Sequence, residues 1–168
     1  IKCIKKLRKI FPTPMPILWG NHDIRIQRLA EKSFIPNSFL KDINEILEID
    51  KKWKWTWHNK LILQLPNKTK VFFTHHFKSS VLSSSKELGM SYVCSHQHTK
   101  ASIEYWSSPT SLNFAMIVGS SINPKSEAFK YGKNFIKRPI ISVGAIINNQ
   151  PVIYAMPLDN NGEWTGAI

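Results

Sequence analysis

Acidic residues are scarce: 11 Asp and Glu stand against 23 Lys and Arg, which gives the 168-residue chain a formal charge of +12. An excess of that size draws phosphate-bearing partners by long-range attraction. It reads equally well as a solvated basic surface or as the footprint of a nucleic acid. Cysteine is scarcer still. Cys3 and Cys94 are too few for a secreted disulfide scaffold, so each reads as a buried free thiol and a reducing compartment, the cytoplasm, is favoured. The longest apolar run, "PIISVGAII", is too short and too Gly-interrupted to cross a bilayer; it reads as a core strand, and no membrane partner is expected. No secretory signal is visible. Because the first residue is Ile rather than Met, a natural start further upstream is expected. No linker or repeat divides the chain, and its hydrophobic fraction of 42% is enough for one domain spanning 1–168.

The elements that remain alternate helix and strand. "IKCIKKLRKIFP" places Ile1, Ile4 and Leu7 at helical spacing and closes at Pro12, as an amphipathic surface helix would. "MPILW" reads as a short buried strand. "DIRIQRLAEKS" and "NSFLKDINEILE" read as helical segments separated by Pro36, with Asn37 or Ser38 available as a cap. "KWKWTWHNKLILQLP" and "KVFFTHH" read as strands flanking a turn at "PNKT", and "SSSKELG" as a short helix opened by Ser and closed by Gly. Further strands are expected in "SYVCSHQHT", "ASIEYW", "LNFAMIVGSS", "RPIISVGAII" and "QPVIYAMPL", with "NNQ" a tight turn between the last two. The pattern predicts an α/β sheet protein.

Three polar clusters occupy equivalent places, each just after an apolar strand: Gly20-Asn21-His22-Asp23, His75-His76 after "VFFT", and His96-Gln97-His98 after "YVCS". Strand ends on one edge of an α/β sheet are where such proteins build sites. In an extended segment residues two apart share a side, so His96 and His98 can face one pocket while Gln97 turns away. Imidazole nitrogens mixed with carboxamide and carboxylate oxygens suit Mn, Fe or Zn better than Ca or Mg.

In that order, "GNHD", a strand-ending "THH" and "SHQH" resemble the later motifs of the calcineurin-like metallophosphoesterases. The stretch "GSSINPKSEAFKYGKNFIKRPIISVGAII" is similar to the C-terminal portion of that family's phage-associated branch. The resemblance implies an αββα sandwich holding two divalent ions, Mn most suitably and otherwise Fe or Zn. It implies that Asn21, His75 and His96 ligate one ion and that His98 serves the other. His22 would be the general acid, oriented by Asp23, and Gly20 would permit the close turn that brings Asn21 to the metal. His76 is the alternative to His75. Ser95 stands where the family has Gly before its last His-x-His.

The implied substrate is a phosphate mono- or diester, which could be a nucleotide or nucleic acid, and the implied location is a cytoplasm, that of a host cell if the chain is phage-encoded. The family's two earlier motifs, Asp-x-His and Gly-Asp, have no counterpart in residues 1–19, while Asp42, Asp50 and Asp159 lie after GNHD in other contexts. An N-terminally truncated domain lacking its first strands is therefore expected.

Two other readings compete. Trp53, Trp55 and Trp57 alternate with basic residues and could stack single-stranded nucleic acid, although the same period suits one packed aromatic face of a strand. A catalytically inactive phosphoesterase fold used as an interaction module is the other.

Overall fold

The computed structural model describes residues 2–121, 138–161 and 163–166; the side chains of Lys2 and Cys3 fall outside that description, as does most of the stretch similar to the phage-associated branch. Two compact units divide the chain, residues 1–59 and 60–168. Both mix helix and strand, as the alternating pattern predicts.

The first unit runs α1 (Lys2–Ile10), β1 (Pro16–Leu18), α2 (Arg25–Lys32), a 3₁₀ turn (Asn37–Phe39), α3 (Ile43–Ile46), a second 3₁₀ turn (Lys51–Trp53) and β2 (Thr56–His58). β1 and β2 pair in parallel, Ile17 opposite Trp57. The cap of the second helical segment is Asp42, whose carboxylate accepts the Asn44 N–H at 2.8 Å, and not the expected Asn37 or Ser38. Pro36 starts a separate 3₁₀ turn there, so the helix proper opens only five residues later.

The tryptophan-rich run is not one strand. Asp50 caps a 3₁₀ turn through the Lys52 N–H, and Lys54 then adopts a left-handed backbone (φ 54°), which breaks any period-two alternation. The three rings consequently go to different places. Trp55 is buried with its centroid 5.1 Å from that of Trp53, Arg8 lies over Trp53, and Trp57 stacks on Trp19 at 4.4 Å while its indole N–H donates to Asn44.

The second unit is built on a five-stranded sheet in the order β3-β4-β5-β7-β6, from β3 (Lys60–Gln64), β4 (Lys70–Thr74), β5 (Ser91–Cys94), β6 (Ser102–Ser107) and β7 (Leu112–Ile117). β4, β5 and β7 are mutually parallel; β3 and β6 are the antiparallel edges. On one face α4 (Val81–Leu88) covers Phe72, Tyr92, Cys94, Ala115 and Ile117. The other face packs Val71, Val93, Phe114 and Met116 against Ile146 and Ile153 of the hairpin formed by β8 (Ser142–Ile147) and β9 (Gln150–Ala155). With both faces covered, the central strands must be apolar on both sides, and all four residues of β5 are buried.

Local chemistry explains the ends. α4 is capped by Ser80, one turn before the expected serines, and closed by Gly89 in the left-handed conformation (φ +65°). The β8–β9 turn places Asn148 and Asn149 at φ 50° and 64°, the paired positive angles of a type I′ hairpin, where asparagine is tolerated.

Candidate functional site

The GNHD turn lies in the first unit, just past β1. Gly20 opens the turn that leads into α2, whose N-cap is Ile24: the Gly20 carbonyl accepts the N–H groups of Asp23 and Ile24, and the Gly20 N–H donates to the Asp23 carboxylate at 2.8 Å. Glycine has no side chain to make the other bond of a capping box, so this is its acidic half alone. It gives Asp23 a local structural task, and among the described residues no hydrogen bond joins its carboxylate to His22. Gly20 is buried, whereas Asn21 and His22 are exposed on the turn. The turn thus presents a carboxamide and an imidazole to solvent, side by side.

The histidine clusters lie in the second unit. Because β4 and β5 are adjacent and parallel, the residues that follow them emerge at one sheet edge. His75 follows β4 directly and His96 follows β5 by two residues; His75 Nε2 and His96 Nδ1 lie 3.0 Å apart with the rings nearly perpendicular, at 80°. The exposed His76 ring lies 4.4 Å from that of His96, tilted at 39°. The Gln97 amide donates to the Ser79 carbonyl at 2.7 Å, and His96 does not join His98 in lining one pocket.

His98 sits in the turn after His96, on the wall of a pocket of about 410 Å³ that His75 also lines. Ser95, Gly119, Ser120 and Ser142 complete much of the wall. His75 thereby belongs both to the pair with His96 and to the pocket with His98.

The sequence reading missed this serine wall, although its own rule pointed there. β7 is parallel to β5, so "GSS" at its end reaches the same edge as the histidines. The segment before β8 closes the pocket by backbone pairing: Ile140 donates to the His98 carbonyl at 2.9 Å, Ser120 to the Ile140 carbonyl at 2.7 Å, and Ser142 to the Ser120 carbonyl at 3.1 Å. Gly119 makes that approach possible, since a Cβ there would meet the Ile140 carbonyl oxygen at 2.3 Å. The Ser142 hydroxyl is buried and has no hydrogen-bond partner among the described residues.

Cys94 takes no part. It is buried on the α4 face, and burial pushes its thiol above the ordinary value, which keeps it protonated at neutral pH and unsuited to binding a cation. Among the described residues no group of three or more His, Cys, Asp or Glu side chains is arranged to hold a metal ion. The His75–His96 pair is short of that by one ligand, which a carboxamide oxygen or a carboxylate could supply. No helix among them is long and apolar enough to cross a membrane.

No protein-family model matches the chain, and neither a curated protein nor a solved structure does.

Proposed function

We propose that this chain supplies the imidazole and carboxamide ligands of a dinuclear centre that hydrolyses phosphate mono- or diesters. The observation that carries the reading is the 3.0 Å separation of His75 Nε2 and His96 Nδ1 at the end of two parallel strands. Two imidazoles on one ion, at metal–nitrogen distances of about 2.0–2.1 Å, have donor atoms about 2.9 Å apart at a right angle and about 3.3 Å apart at a tetrahedral one. At this spacing the two rings share a hydrogen bond, which an ion would replace once both lone pairs turned toward it. Manganese is the favoured ion, with iron or zinc as substitutes, because the donors are nitrogen and neutral oxygen rather than thiolate.

The resemblance would assign the Asn21 carboxamide to the ion that His75 and His96 would hold, and His98 to a second. Divalent ions, when bound, offset the negative charge that develops on phosphoryl oxygens. The exposed imidazole of His22 delivers a proton to the leaving alkoxide. Asp23 acts on it indirectly, by fixing the turn from which the ring projects. The serine hydroxyls beside His75 and His98 offer donors to the phosphoryl group.

No Asp, Glu or His precedes Gly20, so residues 1–19 contain no carboxylate able to bridge two ions. The 168 residues are therefore expected to bind one ion and to hydrolyse very little. Titration of the folded chain with Co²⁺ or Mn²⁺ tests this. The expected result is one ion, lost in both His75→Ala and His96→Ala, with negligible release of nitrophenol from bis(p-nitrophenyl) phosphate. A folded chain that binds no ion, or whose ion survives both substitutions, would overturn the assignment.

A further inference from the structure

The two edges of the five-stranded sheet are finished differently. β6 carries an exposed carboxylate, Glu104, in its middle, where a charge discourages another strand from pairing. β3, of sequence KLILQ, has three apolar residues in a row at its centre, and Ile62 and Leu63 are 52% and 43% exposed. Its register against β4 is unbroken from Lys60 opposite Thr74 to Gln64 opposite Lys70, with neither a proline nor a bulge to bend it away. Among the described residues no strand pairs with its outer side.

The backbone decides which groups face outward. The Leu65 N–H donates to the Thr69 carbonyl at 2.8 Å, so Leu65 turns its backbone toward the β4 side. Amide directions alternate along an antiparallel strand. Leu61 and Leu63 therefore turn the same way, and the N–H and C=O groups of Lys60, Ile62 and Gln64 point outward.

The side chains narrow the partner to β3 itself. Opposed residues share a face, which puts Ile62 with Phe72 on the α4 face and Leu61 and Leu63 with Phe73 and Val71 on the hairpin face. Two antiparallel copies of β3 related by a twofold axis at Ile62 set Ile62 against Ile62, Leu61 against Leu63 and Lys60 against Gln64. Both apolar layers then continue across the axis, and no lysine opposes a lysine. Moving the axis by one residue, to Leu61 or Leu63, would bring together backbone groups that already face β4.

We propose that β3 pairs with β3 of a second copy of this chain, in register about Ile62, so that the two five-stranded sheets become one. Each outward N–H of Lys60, Ile62 and Gln64 gains a carbonyl. Because each copy offers one such edge, the assembly closes at two. The contact is small, so the dimer is reversible rather than permanent. The inference is independent of the phosphoesterase reading, since it uses none of that site's side chains.

The test is sedimentation velocity of the full chain at concentrations up to roughly 200 µM, where a complex of micromolar Kd is mostly formed, with backbone amide exchange followed over the same range. A monomer–dimer equilibrium is expected, in which exchange at Ile62 slows as the dimer forms while Leu61 and Leu63, already bonded to β4, do not change. Ile62→Lys sets two ammonium groups opposite each other and should weaken the dimer about tenfold or more. Tyr105→Lys, on the other edge, should leave it unchanged. Each chain carries a formal +12, so added salt should tighten the pair. The exchange measurement on the parent carries the test even if Ile62→Lys does not fold. A chain that stays monomeric at the highest concentration, assembly beyond two copies, unchanged exchange at Ile62 in the dimer, or a dimer indifferent to Ile62→Lys would overturn the proposal.

Discussion

The carboxylate of Asp23 closes on the backbone N–H of Gly20 at 2.8 Å, while the Asp23 N–H returns to the Gly20 carbonyl at 3.1 Å. Two residues that the resemblance puts in a catalytic motif thus form the first turn leading into α2. His22 lies between them, held from both sides by backbone geometry.

This relationship separates an orienting acid from a capping one. Asp23→Ala should lower the stability of residues 1–59 by about 1 kcal/mol, as loss of a helix cap does, whereas Asp23→Asn keeps an acceptor and should recover most of it. Thermal melts of the two variants check this. Equal losses would show that the negative charge matters and the hydrogen bond does not.

The neighbouring histidines should behave differently from each other. His75 aims a ring nitrogen at His96, whereas His76 is exposed and only stacks near it. His76→Ala should therefore leave Co²⁺ affinity within about threefold, below the 1.4 kcal/mol that corresponds to a factor of ten. A visible-absorption titration reads it, and loss of binding in His76→Ala alone would exchange the two assignments.

Gly119 is where a methyl group should do most harm near the pocket. A Cβ would sit 2.3 Å from the Ile140 carbonyl oxygen and 2.5 Å from Ser142 Oγ, and the first of these is backbone that cannot swing aside. Gly119→Ala should cost about 1–3 kcal/mol, as overpacking does. Because Ile140 also bonds the His98 carbonyl, amide exchange at Ile140 should accelerate in step. A variant as stable as the parent, with unchanged exchange, would mean that the segment before β8 is not docked there.

Alkaline pH should weaken the second unit. Burial raises the Tyr92 phenol and the Cys94 thiol above their ordinary values of 10.0 and 9.0. Since the folded values are the higher ones, their contribution is complete below about pH 9 and is lost as pH rises, because the unfolded chain ionises first. Urea midpoints between pH 8 and 11 should fall less steeply for Tyr92→Phe than for the parent. Parallel declines would show that other groups control the loss.

The tryptophans should act through packing. Trp57 stacks on Trp19 and donates to Asn44, so Trp57→Ala should destabilise the first unit by about 3 kcal/mol. Affinity for a single-stranded oligonucleotide, measured on variants that remain folded, should follow salt concentration rather than the tryptophan count. A folded Trp57→Ala chain that lost its oligonucleotide binding would restore the stacking platform.

Much of this was readable in order along the chain, because it depends on neighbours in sequence. The spacing of Ile4 and Leu7 before Pro12, Gly89 after Leu88, and the paired asparagines between β8 and β9 all set local backbone preferences that no later contact overrides. The rule that polar clusters follow apolar strands also located both histidine groups. The tryptophan run went otherwise because a cap at Asp50 and a left-handed Lys54 outweighed an apparent period of two, and the balance between them is settled by where Trp55 is buried. The tertiary structure alone decided which strand ends meet. Pairing β4 with β5 and β5 with β7 is a contest among buried apolar faces that composition leaves nearly degenerate, and it is that pairing which sets His75 against His96 and brings Gly119, Ser120 and Ser142 beside His98.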